Sequence, residues 1–158
     1  MAEQRRFPYR IDRKLLPLGL LFGLRPSRDG VRLDGERFVA TYGFIHVETP
    51  LANIDGAHVT RKYRWWTAVG IRRSFVDDGL TFGTNRDEGV CVHFATKVVS
   101  PVGRRGHSAL TVTVADVEGL AQALNQAAAD RERAVGAAAA EDAAADDRDG
   151  GDADTASS

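Results

Sequence analysis

Residues 31–49 read V-R-L-D-G-E-R-F-V-A-T-Y-G-F-I-H-V-E-T. Val31 and Leu33 alternate with Arg32, Asp34-Gly35 supplies a two-residue turn signal, and the strand pattern resumes from Arg37 to Tyr42, which together predict a β-hairpin. Gly43 interrupts the extended stretch, as a bulge or sharp bend would, before Phe44 to Thr49. In that segment Ile45 and Val47 face one way, His46 and Glu48 the other. Three consecutive short strands with period-two burial make the chain mainly β.

The same punctuation continues outward. T-P-L-A-N-I-D-G (49–56) reads as a turn with Leu51 and Ile54 buried. Ala57 to Tyr63, Val69 to Val76, Leu80 to Gly83, Val90 to Ala95 and Leu110 to Val114 follow as strand candidates, with 84–89 a polar hairpin loop and 100–108 (S-P-V-G-R-R-G-H-S) a mobile basic loop. Asp116 then stands as an N-cap, and Val117, Leu120, Ala121 and Leu124 fall at helical spacing on one face. Gly119 weakens this helix by up to about 1 kcal/mol relative to Ala, so packing must hold it. Toward the N-terminus, L-L-P-L-G-L-L-F-G-L (15–24) follows a basic stretch in the order of a signal peptide. The run is shorter than the roughly 20 residues of a span, contains Pro17, Gly19 and Gly23, and lacks a small-x-small cleavage site. It reads as a strand or a buried edge of the core, with a membrane-touching loop as the lesser option.

The chain has 158 residues, and three segments emerge: a disordered N-terminus at 1–6, one domain at 7–127, and an acidic Ala-rich tail at 128–158 that extends the helix by a turn or more and is disordered after Gly136. A formal net charge of -1 hides an asymmetry, because residues 1–127 carry 18 Lys+Arg against 13 Asp+Glu while the tail carries 3 against 9. The domain is basic and its tail acidic. Lys occurs only at positions 14, 62 and 97, as in a GC-rich genome, which lowers the weight of Arg abundance as evidence for phosphate binding. With Cys91 as the single cysteine, no intrachain disulfide is possible, and a cytoplasmic location is the simpler reading.

About seven short strands in a meander, closed by one C-terminal amphipathic helix, form an order of elements that resembles the pleckstrin-homology-like domains found in bacteria. The phrases most similar to them are V-A-T-Y-G-F-I-H-V-E-T-P-L-A-N-I (39–54) and the strand-to-helix ending T-V-T-V-A-D-V-E-G-L-A-Q-A-L (111–124). The resemblance implies a bent antiparallel sheet or half-open barrel with the helix capping one open end. It also implies binding or assembly rather than catalysis, since such domains dock lipid headgroups, peptides or copies of themselves.

No catalytic motif is present, and no cofactor is implied. Cys91 and His93 share a strand face at i, i+2, a legitimate spacing for two metal ligands or for a thiolate and base, but neither a Cys pair nor His-x-x-x-His completes a set, and His46, His58 and His107 join only if folding brings them in. A half-buried Cys beside a surface His, with no metal, is the simpler expectation. Gly79, Gly83 and Gly89 lack the loop-to-helix context of a phosphate cradle, and Asp77-Asp78 and Asp87-Glu88 read as solvated turns.

Charge and aromatic surface concentrate in V-T-R-K-Y-R-W-W-T-A-V-G-I-R-R-S-F (59–75). Guanidinium groups pair bidentately with phosphate or carboxylate, so Arg61, Arg64, Trp65, Trp66, Arg72 and Arg73, with Arg104 and Arg105, form the candidate surface for an anionic partner. Strand alternation divides these residues between two faces, so only a subset can converge. The expected function is a non-enzymatic interaction module, cytoplasmic or peripheral to the membrane, that binds a lipid headgroup or an acidic peptide. Its own acidic tail is a candidate internal competitor for that surface. Nucleic acid is a poorer candidate, because the domain's net charge is modest and no recognition motif is present. The alternatives are a homo-oligomer built on an exposed strand edge, or a small-ligand protein or enzyme with a pocket at the open end of the barrel lined by Trp65 or Trp66.

Overall fold

The computed structural model describes residues 4–61, 70–73, 79–83, 88–101 and 103–149, with backbone alone at 70–73, 83, 103–105 and 146–149. Two compact units divide the chain, Met1–Ala128 and Ala129–Ser158. In the first, nine strands among the described residues form two sheets. The first sheet orders β1 (Arg5–Pro8), β2 (Gly30–Asp34), β3 (Arg37–Tyr42) and β4 (Ile45–Pro50) side by side, each antiparallel to the next. Asp34 pairs with Arg37 and Tyr42 with Ile45, so Gly35-Glu36 and Gly43-Phe44 are two-residue hairpin turns. The expected hairpin and sharp bend are both present.

A 3-10 turn (Leu51–Asn53) leads into the second sheet, made of β5 (Ile54–Arg61), β6 (Gly70–Arg73), β7 (Leu80–Gly83), β8 (Glu88–Ser100) and β9 (Gly103–Val112) in the order β5-β8-β9-β7-β6. Backbone bonds across the Tyr9–Val114 bridge, Arg10 N–H to Thr113 O at 3.0 Å and Ala115 N–H to Pro8 O at 2.9 Å, join the two sheets. Alternate residues of both sheets turn inward: Val31, Leu33, Phe38, Ala40, Tyr42 and Val47 meet Phe82, Val90, Val92, Leu110 and Val112 in one buried cluster. A buried Leu or Phe side chain contributes about 1.5–3 kcal/mol, so this cluster carries the domain.

Helix α2 (Val117–Asp149) begins as expected. Gly119 N–H donates to Asp116 Oδ1 at 2.9 Å, a side-chain N-cap, and Val117, Leu120, Ala121 and Leu124 enter the core. In the second unit the helix continues through the Ala-rich segment to Asp149, where the sequence reading has a turn or more of helix and disorder after Gly136. Alanine has the highest intrinsic helix propensity, and Arg133 pairs with Asp130 one turn back at 3.0 Å.

Four expectations are corrected. The strands form two sheets where one bent antiparallel sheet or half-open barrel is expected, and one pair is parallel: β7 runs alongside β9 with Leu80 opposite Leu110. β8, lying on the other side of β9, is the return path that such a parallel pair needs. The apolar run 15–24 is not a strand but α1 (Leu16–Leu21) and its exit turn. Pro17 sits in the first helical turn, where its missing N–H costs nothing, and Asp12 O accepts from Leu15 and Leu16. The strand pattern begins at Arg5, within the segment expected to be disordered, because β1 pairs with β2 along Arg5 to Pro8. Finally, Gly103–Val112 is the strand β9 paired back on β8, where a loop at 100–108 is expected.

Candidate functional site

The exit of α1, the loop 25–29 and the β3–β4 turn converge on one surface. Gly43, at φ 59°, is pressed against the α1 exit so closely that a Cβ would lie 2.2 Å from Phe22 O. Neither the conformation nor the space admits a larger residue. Asp29, 6% exposed, fixes the loop to this turn: its Oδ2 accepts Arg25 N–H at 2.7 Å and Gly43 N–H at 2.8 Å. Tyr9 and Tyr42 pack behind it with ring centroids 5.9 Å apart. Burial, and secondarily the Asp29 charge, push both phenols above their ordinary value of 10.0. Tyr9 Oη is buried and has no hydrogen-bond partner among the described residues.

Between these elements lies a cleft of about 330 Å³ lined by Arg25, Arg28, Arg32, Thr41, Phe44 and His46, with the Asp29 carboxylate at its base. Arg28 and Arg32 also line a second cleft with Arg6 and Ser27. Arg6 stands directly opposite Arg32 in the β1–β2 register, a like-charge pair that costs stability unless an anion joins it. Arg6 donates to Ser27 O, while Arg25, Arg28 and Arg32 have no carboxylate ion-pair partner among the described residues. Three cleft arginines against one carboxylate leave a positive concavity.

An apolar rim borders it. Phe44, at the tip of the β3–β4 turn, is 78% exposed, and from α1 and its exit Leu21 is 77%, Leu20 55% and Phe22 43% exposed. Arg13 and Lys14, just ahead of α1, are exposed as well. Isolated exposed apolar residues are ordinary, whereas a group of large ones is a patch of the kind found at interaction sites.

Of the arginines and tryptophans singled out by sequence, only Arg61 has a described side chain, and it does not line this cleft. Arg61 is exposed but ion-paired to Glu118 at the start of α2 and to Glu88 at 3.7 Å, so its charge is met within the domain. Arg64, Trp65 and Trp66 lie outside the described residues, and of Arg72 and Arg73 on β6 and Arg104 and Arg105 on β9 only the backbone is described. The cleft arginines had a readable signal, three Arg within R-P-S-R-D-G-V-R (25–32), but their convergence with Phe44 and His46 depends on the Asp29 bonds.

A second constellation sits on the outer face of the other sheet. Cys91 and His93 project from β8 as expected, half-buried and exposed, and β5 brings His58 directly opposite Cys91. His58 Nδ1 and His93 Nε2 are 3.3 Å apart, and Cys91 Sγ lies 3.7 Å from His93 Nε2. Ser100 Oγ and His107 Nε2, 2.9 Å apart, are both buried.

Comparison of the chain with family models, with curated proteins and with solved structures finds no match. No described helix is long and apolar enough to cross a membrane.

Proposed function

We propose that this chain is a non-enzymatic, peripheral docking module that binds an anionic phospholipid surface through the Arg25–Arg28–Arg32 cleft and the apolar rim of Leu20, Leu21, Phe22 and Phe44. The observation that carries the reading is the juxtaposition of the two halves. A basic cleft alone would suit any anion, and an apolar patch alone any greasy partner; side by side they match a bilayer interface, with headgroup phosphates above acyl chains. Each Lys or Arg near an anionic leaflet contributes about 1 kcal/mol, and Arg13 and Lys14 add to the three cleft arginines. Phe and Leu side chains supply the hydrophobic half, and two such signals together are what stable peripheral binding requires.

The resemblance to pleckstrin-homology-like domains belongs to the same proposal. A mainly β body with one C-terminal helix entering its core supports it, while the parallel β7–β9 pair departs from the antiparallel sheet that the resemblance implies.

Cosedimentation with vesicles of phosphatidylcholine, with and without phosphatidylserine, tests the function. Binding should require the anionic lipid and weaken as salt rises past about 0.1 M, where the screening length is near 10 Å. Arg28→Ala/Arg32→Ala and Leu21→Asp/Phe44→Asp should each reduce it. Binding lost only in the arginine variant, with an acidic peptide bound as well as vesicles, would favour a peptide partner instead. No anionic-lipid binding by the full chain, or by a chain lacking the acidic residues 128–158, overturns the lipid reading.

A further inference from the structure

We infer that His58, Cys91 and His93 form a zinc site with one coordination position open to an exogenous ligand. Donor type and spacing point to it, independently of the lipid-docking surface. Zinc takes neutral imidazole nitrogen at about 2.0–2.1 Å and thiolate sulfur at about 2.3 Å in tetrahedral geometry. Two nitrogens bound to one such ion are therefore about 3.3 Å apart, and a nitrogen and a sulfur about 3.6 Å. The protein holds His58 Nδ1 and His93 Nε2 at 3.3 Å and Cys91 Sγ and His93 Nε2 at 3.7 Å, with all three donor atoms within 4.8 Å of one another.

The backbone fixes this spacing. Cys91 and His93 lie two residues apart on β8, and the antiparallel register sets His58 of β5 opposite Cys91. Gly56 stands opposite His93 and adds no side chain to the cluster. The imidazoles of His58 and His93 stack with centroids 5.1 Å apart and planes at 21°. Both histidines are exposed, leaving an approach from solvent. A closed structural site would need a fourth protein donor, whereas three donors and an open side match sites that take water or a small anionic ligand.

Binding is acid–base chemistry without a change of oxidation state. The Cys91 S–H bond breaks, its electron pair becomes the sulfur–zinc bond and the proton passes to buffer; His58 Nδ1 and His93 Nε2 donate their lone pairs.

The test uses the metal-stripped full chain, titrated with Zn²⁺ against a chromophoric chelator and with Co²⁺ as a spectroscopic probe. The expected result is one ion per chain, about one proton released, a thiolate-to-cobalt charge-transfer band, and a thermal midpoint that rises with zinc. Cys91→Ser should abolish the charge-transfer band. Cys91→Ser and His58→Ala should each weaken binding by more than the roughly 10–100-fold that loss of an outer-shell partner costs. His58 is exposed, so His58→Ala keeps the test interpretable if Cys91→Ser disturbs packing. Zinc binding unchanged in both variants, or a cobalt complex without the sulfur band, means that the three groups are only a hydrogen-bonded surface cluster, and overturns the site.

Discussion

Asp29 Oδ2 accepts the backbone N–H of Gly43 at 2.8 Å, tying the loop that carries Arg25 and Arg28 to the turn that carries Phe44. The same oxygen holds Arg25 N–H at 2.7 Å, so one buried carboxylate positions both halves of the proposed docking surface. It lines the same cleft as the three arginines.

Removing that carboxylate should therefore act on stability and binding together. A hydrogen bond to a charged acceptor contributes about 1.5–3 kcal/mol, and Asp29→Ala removes two while leaving two part-buried N–H groups unpaired. A loss of about 3 kcal/mol in urea unfolding is expected, with a smaller loss for Asp29→Asn, whose amide oxygen can still accept. Equal, negligible losses for both variants would show that solvent replaces these bonds.

Tyr9 and Tyr42 make stability fall at high pH. Their folded pKa values are raised, by burial first and by Asp29 second, so the folded state keeps its phenolic protons where the unfolded chain gives them up. The contribution is complete below the unfolded value of about 10 and is lost as pH rises toward the folded values, at about 1.4 kcal/mol per pH unit for each group. Tyr9→Phe should reduce the slope above pH 10. At neutral pH it should be neutral or stabilising by up to about 1 kcal/mol, because the hydroxyl it deletes has no partner among the described residues. Unfolding followed by circular dichroism from pH 7 to 11 measures both.

Gly119 looks like a flaw in a helix and is a condition of its cap. A Cβ at this position would lie 2.2 Å from Asp116 Oδ2, so alanine must displace the carboxylate that accepts Gly119 N–H. The propensity gain of up to about 1 kcal/mol from Gly to Ala is then offset by a cap worth about 1 kcal/mol. Gly119→Ala should leave stability within about 0.5 kcal/mol of the parent, whereas in the Asp116→Ala background the same change should stabilise by most of its propensity value. A double-mutant cycle in urea reads the coupling; additive effects would show that the carboxylate relaxes without cost.

The local elements were legible where short-range chemistry decides them. Asp34-Gly35, Gly43 and Asp116 each mark a turn or cap that forms at that place, and period-two alternation identifies Val31, Leu33, Val90, Val92 and Phe94 as inward-facing. What the sequence hid is long-range. The parallel pairing of β7 with β9 arises from strand order, which no local pattern encodes. The run at 15–24 is apolar yet largely exposed in α1, so hydrophobicity pointed to the core where the fold presents a surface. Arg61 stood in the densest basic segment, but Glu118, 57 residues away, meets its charge. His58 joined Cys91 and His93 through the β5–β8 register alone.

Asn125 carries the last prediction, which concerns self-association. β5 is an edge strand of its sheet, and an edge with open N–H and C=O groups invites pairing with a second copy. Asn125 of α2 meets that edge at Ala57, where its Oδ1 accepts Ala57 N–H at 2.8 Å and its Nδ2 donates to Ala57 O at 2.8 Å. The side-chain amide thus makes the two bonds that a neighbouring strand would make. Asn53 does the same for β8, accepting Thr96 N–H at 2.8 Å and donating to Thr96 O at 2.9 Å. Asn125→Ala should cost about 1–2 kcal/mol, the net value of two solvent-accessible hydrogen bonds, and should free Ala57 for edge pairing. Light scattering across a concentration series should then show more dimer in the variant than in the parent. A variant that is destabilised but no more self-associating would mean that the amide serves helix docking alone, and that any homo-oligomer must form through another surface.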